Sequence, residues 1–68
     1  LKKEIKNLID DVDLALKSLS YSLKERKEAI NLILTKVDQS NLPIQKVLNS
    51  FTFEVLLKDS LDFLDKNR

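Results

Sequence analysis

There is no cysteine and no histidine in this chain, which removes disulfides, thiol nucleophiles, imidazole bases and the usual zinc ligands together. The lack of cysteine fits a reducing compartment, here expected to be the cytoplasm. Glycine is absent as well, so no glycine-rich loop exists to cradle a phosphate. Neither sign of charge dominates: 12 basic and 11 acidic residues leave +1. That balance gives no strong pull toward phosphate backbones or an anionic membrane. No apolar run approaches the ~20 residues of a membrane span, and no signal-peptide pattern opens the chain. What is abundant is Lys, Leu, Ile and Asn. With no glycine and one proline, that composition predicts an all-α fold.

A chain of 68 residues makes one small domain, residues 1–68, burying only about 60% of its unfolded surface. Because it opens on Leu1 rather than Met, it is expected to be a fragment cut from a longer protein. No chemistry-bearing constellation survives inspection. The adjacent Asp10 and Asp11 read as exposed helix residues, and the Ser and Thr hydroxyls have no imidazole to activate them. No catalytic residue, metal ligand or cofactor site is therefore expected.

The first helical signal is Leu1, Ile5, Leu8, Val12, Ala15 and Leu19, spaced four-three-four-three-four. Ile9 and Leu16 widen this stripe. Two readings compete: a continuous helix from about Lys3 to Leu19, or a shorter one N-capped by Asp10 with Asp13 at its third position. The regular spacing favours the continuous helix, with residues 1–9 a linker or a less buried extension. The same stripe would suit a coiled coil, but it lasts fewer than three heptads.

Ser22-Leu23-Lys24-Glu25 is a capping box, in which the Ser22 hydroxyl and the Glu25 carboxylate each satisfy the other residue's backbone amide. It opens a second helix from Leu23 to about Val37, with Leu23, Ile30, Ile33, Leu34 and Val37 on one face and Ala29 on its flank. Residues 38–41 read as a turn. Pro43 suits the first turn of a helix, predicting a short one over 43–49 with Ile44, Val47 and Leu48 inward. Ser50 or Thr52 caps the last helix, Thr52 being the better placed. That helix runs to about Asp65 and is predicted to bury Phe53, Leu57, Leu61 and Leu64.

The string Ala15-Leu16-x-x-Leu19-Ser20-Tyr21-Ser22-x-x-Glu25-x-x-x-Ala29-Ile30-x-x-Ile33, with Thr52-Phe53-Glu54-Val55-Leu56-Leu57 and on to Leu64, resembles the C-terminal domain of RuvA proteins. These are the Holliday-junction-binding subunits of the bacterial branch-migration machine. The likeness covers residues 12–34 and 52–64. It implies a three-helix bundle similar to a ubiquitin-associated (UBA) domain, here with a longer N-terminal helix and a short extra helix between the second and third. It further implies a non-catalytic module that docks on the RuvB-type hexameric ATPase and regulates it, as a monomer, with no membrane. Holliday junction DNA would be contacted only by upstream domains of the parent protein. Ser20 stands where the family has glycine, at a position that favours a left-handed backbone. Arg26 stands where the family has alanine and is expected to snorkel outward. The connection over 38–51 is longer than the family's.

On helical wheels Leu14, Leu32 and Val55 fall roughly opposite their own core stripes and Phe63 falls on an edge. Scattered exposed apolar residues are normal in a small domain. Read together, they are the candidates for a groove that receives an apolar element of the ATPase. Tyr21 joins them as a loop aromatic, its blander role being to pack over the helix ends. Lys24, Arg26, Lys27, Lys36 and Lys46 could instead form a nucleic-acid patch. The interleaved Glu25, Glu28 and Asp38 make a solvated charged face the better reading. The alternatives to docking are thus a small helical DNA-binding domain or an oligomerisation unit built on the 1–19 stripe.

Overall fold

A computed structural model describes residues 3–66 and carries four α-helices with no strand among them: α1 Lys3–Ser18, α2 Leu23–Ser40, α3 Ile44–Ser50 and α4 Phe53–Lys66. The fold is a small all-α bundle, as composition and periodicity predict. Helices α1, α2 and α4 pack pairwise against one another, and α3 adds Val47 to their shared core. Leu1, the first residue of the predicted stripe, lies outside the described residues.

α1 is continuous through Asp10, because no local cap competes with its apolar seam. The seam is Ile5, Ile9, Val12 and Leu16, all buried. Residues 3–9 extend the helix, and Ile5 and Ile9, at 4% and 8% exposed, are buried a little less completely than Val12 and Leu16. Ile5 borders Val37, Ile44 and Val47, so the far end of α2 and the added α3 supply the cover. Leu8 and Ala15 are only partly buried, and Leu19 is 55% exposed. Leu19 has the right angle on the wheel, but it sits past the last turn, where no neighbouring helix meets it.

The α1–α2 corner is a Schellman motif. The Tyr21 N–H donates to the Leu16 carbonyl (3.2 Å) and the Ser20 N–H to that of Lys17 (3.0 Å), satisfying carbonyls that the helix end would orphan. Ser20 takes φ 72° to close it, the left-handed conformation the family's glycine position implies. Tyr21 then packs on the core. The capping box is complete: the Ser22 N–H donates to Glu25 Oε1 (3.0 Å) and the Glu25 N–H to Ser22 Oγ (3.2 Å).

α2 runs one turn past Val37, to Ser40, through residues expected to form a turn. Ser40 Oγ donates to the Val37 carbonyl (2.6 Å) and accepts from the Leu42 N–H (3.4 Å), and Asn41 closes the helix at φ 54°. Asparagine tolerates that left-handed value better than most residues. Pro43 is the N-cap of α3 rather than its first residue. Thr52 caps α4 by accepting from the Val55 N–H (3.3 Å).

Two helices sit rotated from their predicted faces. On α2 the centre of contact is Ala29 and Ile33, both wholly buried, while Leu23 is 58% exposed. The small alanine lets the backbones approach, so the packing line runs through it. On α4 the seam is Leu56, Ser60 and Leu64. Leu57 and Leu61 flank it, and Phe53 is 38% exposed. Arg26 does not snorkel free. Its side chain is 14% exposed and lies across to α1, with Nη1 donating to both carboxylate oxygens of Asp13 (3.4 and 3.3 Å).

Candidate docking site

The exposed large apolar residues are unevenly placed. Leu14, Leu19 and Leu23 are exposed around the α1–α2 corner, and Phe53 and Val55 in the first turn of α4. The fold joins two of them across helices. Asp11, Leu14, Ala15 and Ser18 of α1 and Phe53 of α4 line one open groove of about 400 Å³. Leu14, 62% exposed, is the most open of the large apolar residues. It lies on the α1 face turned from the core, as its wheel position predicts. Phe53 reaches the groove because helical side chains lean toward the N-terminus. From the first position of α4 it lines the groove and remains 38% exposed.

A second groove, of about 690 Å³, lies at the α2–α3 junction, lined by Ile5, Val37, Asp38, Asn41, Leu42, Ile44 and Val47. It is larger but offers less. Ile5 and Val47 are already buried in the core, and Leu42 at 38% exposure is its one open large apolar side chain.

The residues singled out from sequence do not form one patch. Val55 is 40% exposed and sits two residues beyond Phe53 on α4, outside the lining of the Leu14 groove. Leu32 is half-buried. It falls beside the contact line, not opposite it, once that line runs through Ala29. Phe63 and Tyr21 are partly buried against the core. Phe53 is the residue that sequence reasoning missed. Its wheel angle is that of a core residue, yet at the start of α4 it lies on the rim of an open groove beside Leu14 and remains 38% exposed.

The basic residues are partly committed to interhelical pairs. Arg26 meets Asp13 and Lys36 Nζ meets Asp59 Oδ2 (3.1 Å), tying α2 to α1 and to α4. These two cations pair across helices rather than with a carboxylate three or four residues away. No group of acidic residues that could hold a metal ion is present among the described residues, and no helix there is long and apolar enough to cross a membrane.

Three curated proteins match this chain over nearly its whole length, each a Holliday junction branch migration complex subunit RuvA. The protein of Prochlorococcus marinus subsp. pastoris is 35% identical over 63 residues, covering 93% of this chain and 27% of the relative. Those of strains AS9601 and MIT 9301 are 38% and 36% identical over 64 residues, covering 94% of this chain and 27% of each relative. The chain thus spans about a quarter of the length of these relatives, and the quarter it matches is their C-terminal part. No family model and no solved structure matches it.

Proposed function

The chain is homologous to the C-terminal domain of RuvA, and from that kinship we propose that it is the non-catalytic interaction module of a Holliday junction branch-migration subunit, docking on the RuvB-type ATPase and regulating it. The observation that carries this reading is the similarity over 93–94% of the chain to the C-terminal 27% of proteins bearing that name. Contact with junction DNA belongs, in this reading, to the remainder of the parent protein.

The mechanism is one of apolar docking. Leu14 and Phe53 present an open apolar pair across two helices. Only the part still exposed, 62% of Leu14 and 38% of Phe53, is left to bury, so docking gains about 1 kcal/mol from each, a fraction of the value for full burial. Val55 extends the contact along α4. Tyr21, Leu32 and Phe63 offer only their remaining exposed edges. Because the site is built on α1, closed by a Schellman corner, and α4, capped by Thr52, little ordering is needed on binding. The residue inventory supports a non-catalytic role, since neither histidine nor cysteine is available as base or nucleophile. Pairing of Arg26 and Lys36 with carboxylates weakens the nucleic-acid alternative.

A pull-down of the chain against the purified cognate RuvB-type ATPase at low and high salt tests the proposal. Binding that persists at high salt is expected. No binding at either salt overturns it.

A further inference from the structure

The groove that holds Leu14 and Phe53 has one charged group in its lining, Asp11. Asp11 is exposed and makes no hydrogen bond or ion pair among the described residues. Its position is explained by neither capping nor helix pairing. Asp13, two residues on, faces the bundle and is taken by Arg26. Asp10, on its other side, is exposed too, so α1 presents two solvent-facing carboxylates one turn before Leu14. The cations nearest along the helix are Lys6, one turn before Asp10, and Lys17, one turn beyond Leu14, and neither lines the groove. An occupant of this groove therefore meets apolar surface in the middle and negative charge at one end.

We infer that the docked element of the ATPase is an apolar side chain flanked by a lysine or arginine, with the apolar group seated between Leu14 and Phe53 and the cation set against Asp11. This rests on the docking reading above and adds the chemistry of the partner element to it. An apolar contact alone fixes neither direction nor register. A charge at one end of the groove fixes both, since the reversed element would leave its cation at the Lys17 end. A rim charge of this kind acts mainly on the association rate and its salt dependence.

The test compares the chain with its Asp11→Asn and Asp11→Lys variants for binding to the purified RuvB-type ATPase across a salt series, with circular dichroism confirming helicity. Asp11 is exposed, so both variants keep the fold. Asp11→Asn is expected to weaken binding up to about fivefold at low salt, the upper end for one exposed ion pair. That deficit should disappear as salt rises. Asp11→Lys should weaken it further, chiefly through slower association. If the unaltered chain binds while both variants match it at every salt concentration, the cationic flank is wrong and the docking site stands. If the unaltered chain does not bind, the docking reading fails and this inference falls with it.

Discussion

Ser20 holds φ at 72° with a Cβ that costs about 1–2 kcal/mol in the left-handed helical region. Ser20→Gly should relieve most of that strain. Part of the gain is lost to the greater backbone freedom of glycine in the unfolded chain. The expected net result is a chain about 0.5–1 kcal/mol more stable to urea, with an unchanged m-value. Ser60 makes the opposite kind of case. Its side chain is wholly buried at the centre of the α4 seam, and Oγ has no hydrogen-bond partner among the described residues. An unmade hydrogen bond at a buried hydroxyl costs about 1–3 kcal/mol. Ser60→Ala removes the hydroxyl and keeps the small volume, so it should raise stability by about 1 kcal/mol on the same assay. Ser20 was legible through the family resemblance, which has glycine at this position and so implies a positive φ. Ser60 was not, since a hydroxyl residue between Leu57 and Leu61 reads as the polar edge of the helix.

At the scale of the helix, capping and termination were readable and rotation was not. The Ser22–Glu25 box and the Thr52 cap depend on contacts three residues apart, which spacing alone determines. Which face turns inward depends on neighbours that spacing does not describe. α2 carries apolar residues over more than half its circumference, and the bundle selects the sector containing its smallest side chain, Ala29, since close approach there buries the most surface from α1 and α4. Ala29→Leu is accordingly expected to cost about 1–3 kcal/mol through overpacking, measured as a lower urea midpoint. Leu23→Ala, at a position 58% exposed, should change stability by less than about 0.5 kcal/mol. If the predicted face were the real one, these two outcomes would be reversed. The same limitation hid Phe53. A wheel reports angle and ignores axial position, so Phe53, at the first turn of α4, scored as core although it lines an open groove with Leu14, Ala15 and Ser18 of α1.

Across the whole molecule, caps and interhelical pairs fix the ends and faces of the helices and leave an apolar pair open between α1 and α4. Arg26–Asp13 and Lys36–Asp59 fasten α2 to its neighbours, although partly exposed pairs of this sort contribute at most about 1 kcal/mol each. The fold class and helix order follow from composition and periodicity. Leu14 was legible as a surface residue from the same patterning. Its pairing with Phe53 was not, because it depends on how α4 starts against α1, a relation between residues 39 positions apart.

The most direct test of docking is a calorimetric titration of the purified RuvB-type ATPase with the chain, its Leu14→Asp variant and its Leu42→Asp variant. Both altered residues are exposed, and they lie in different grooves. A charge forced into an apolar contact should weaken binding at least about tenfold for Leu14→Asp, while Leu42→Asp binds as the unaltered chain does. Undiminished binding by Leu14→Asp, or loss confined to Leu42→Asp, would contradict docking through the α1–α4 groove.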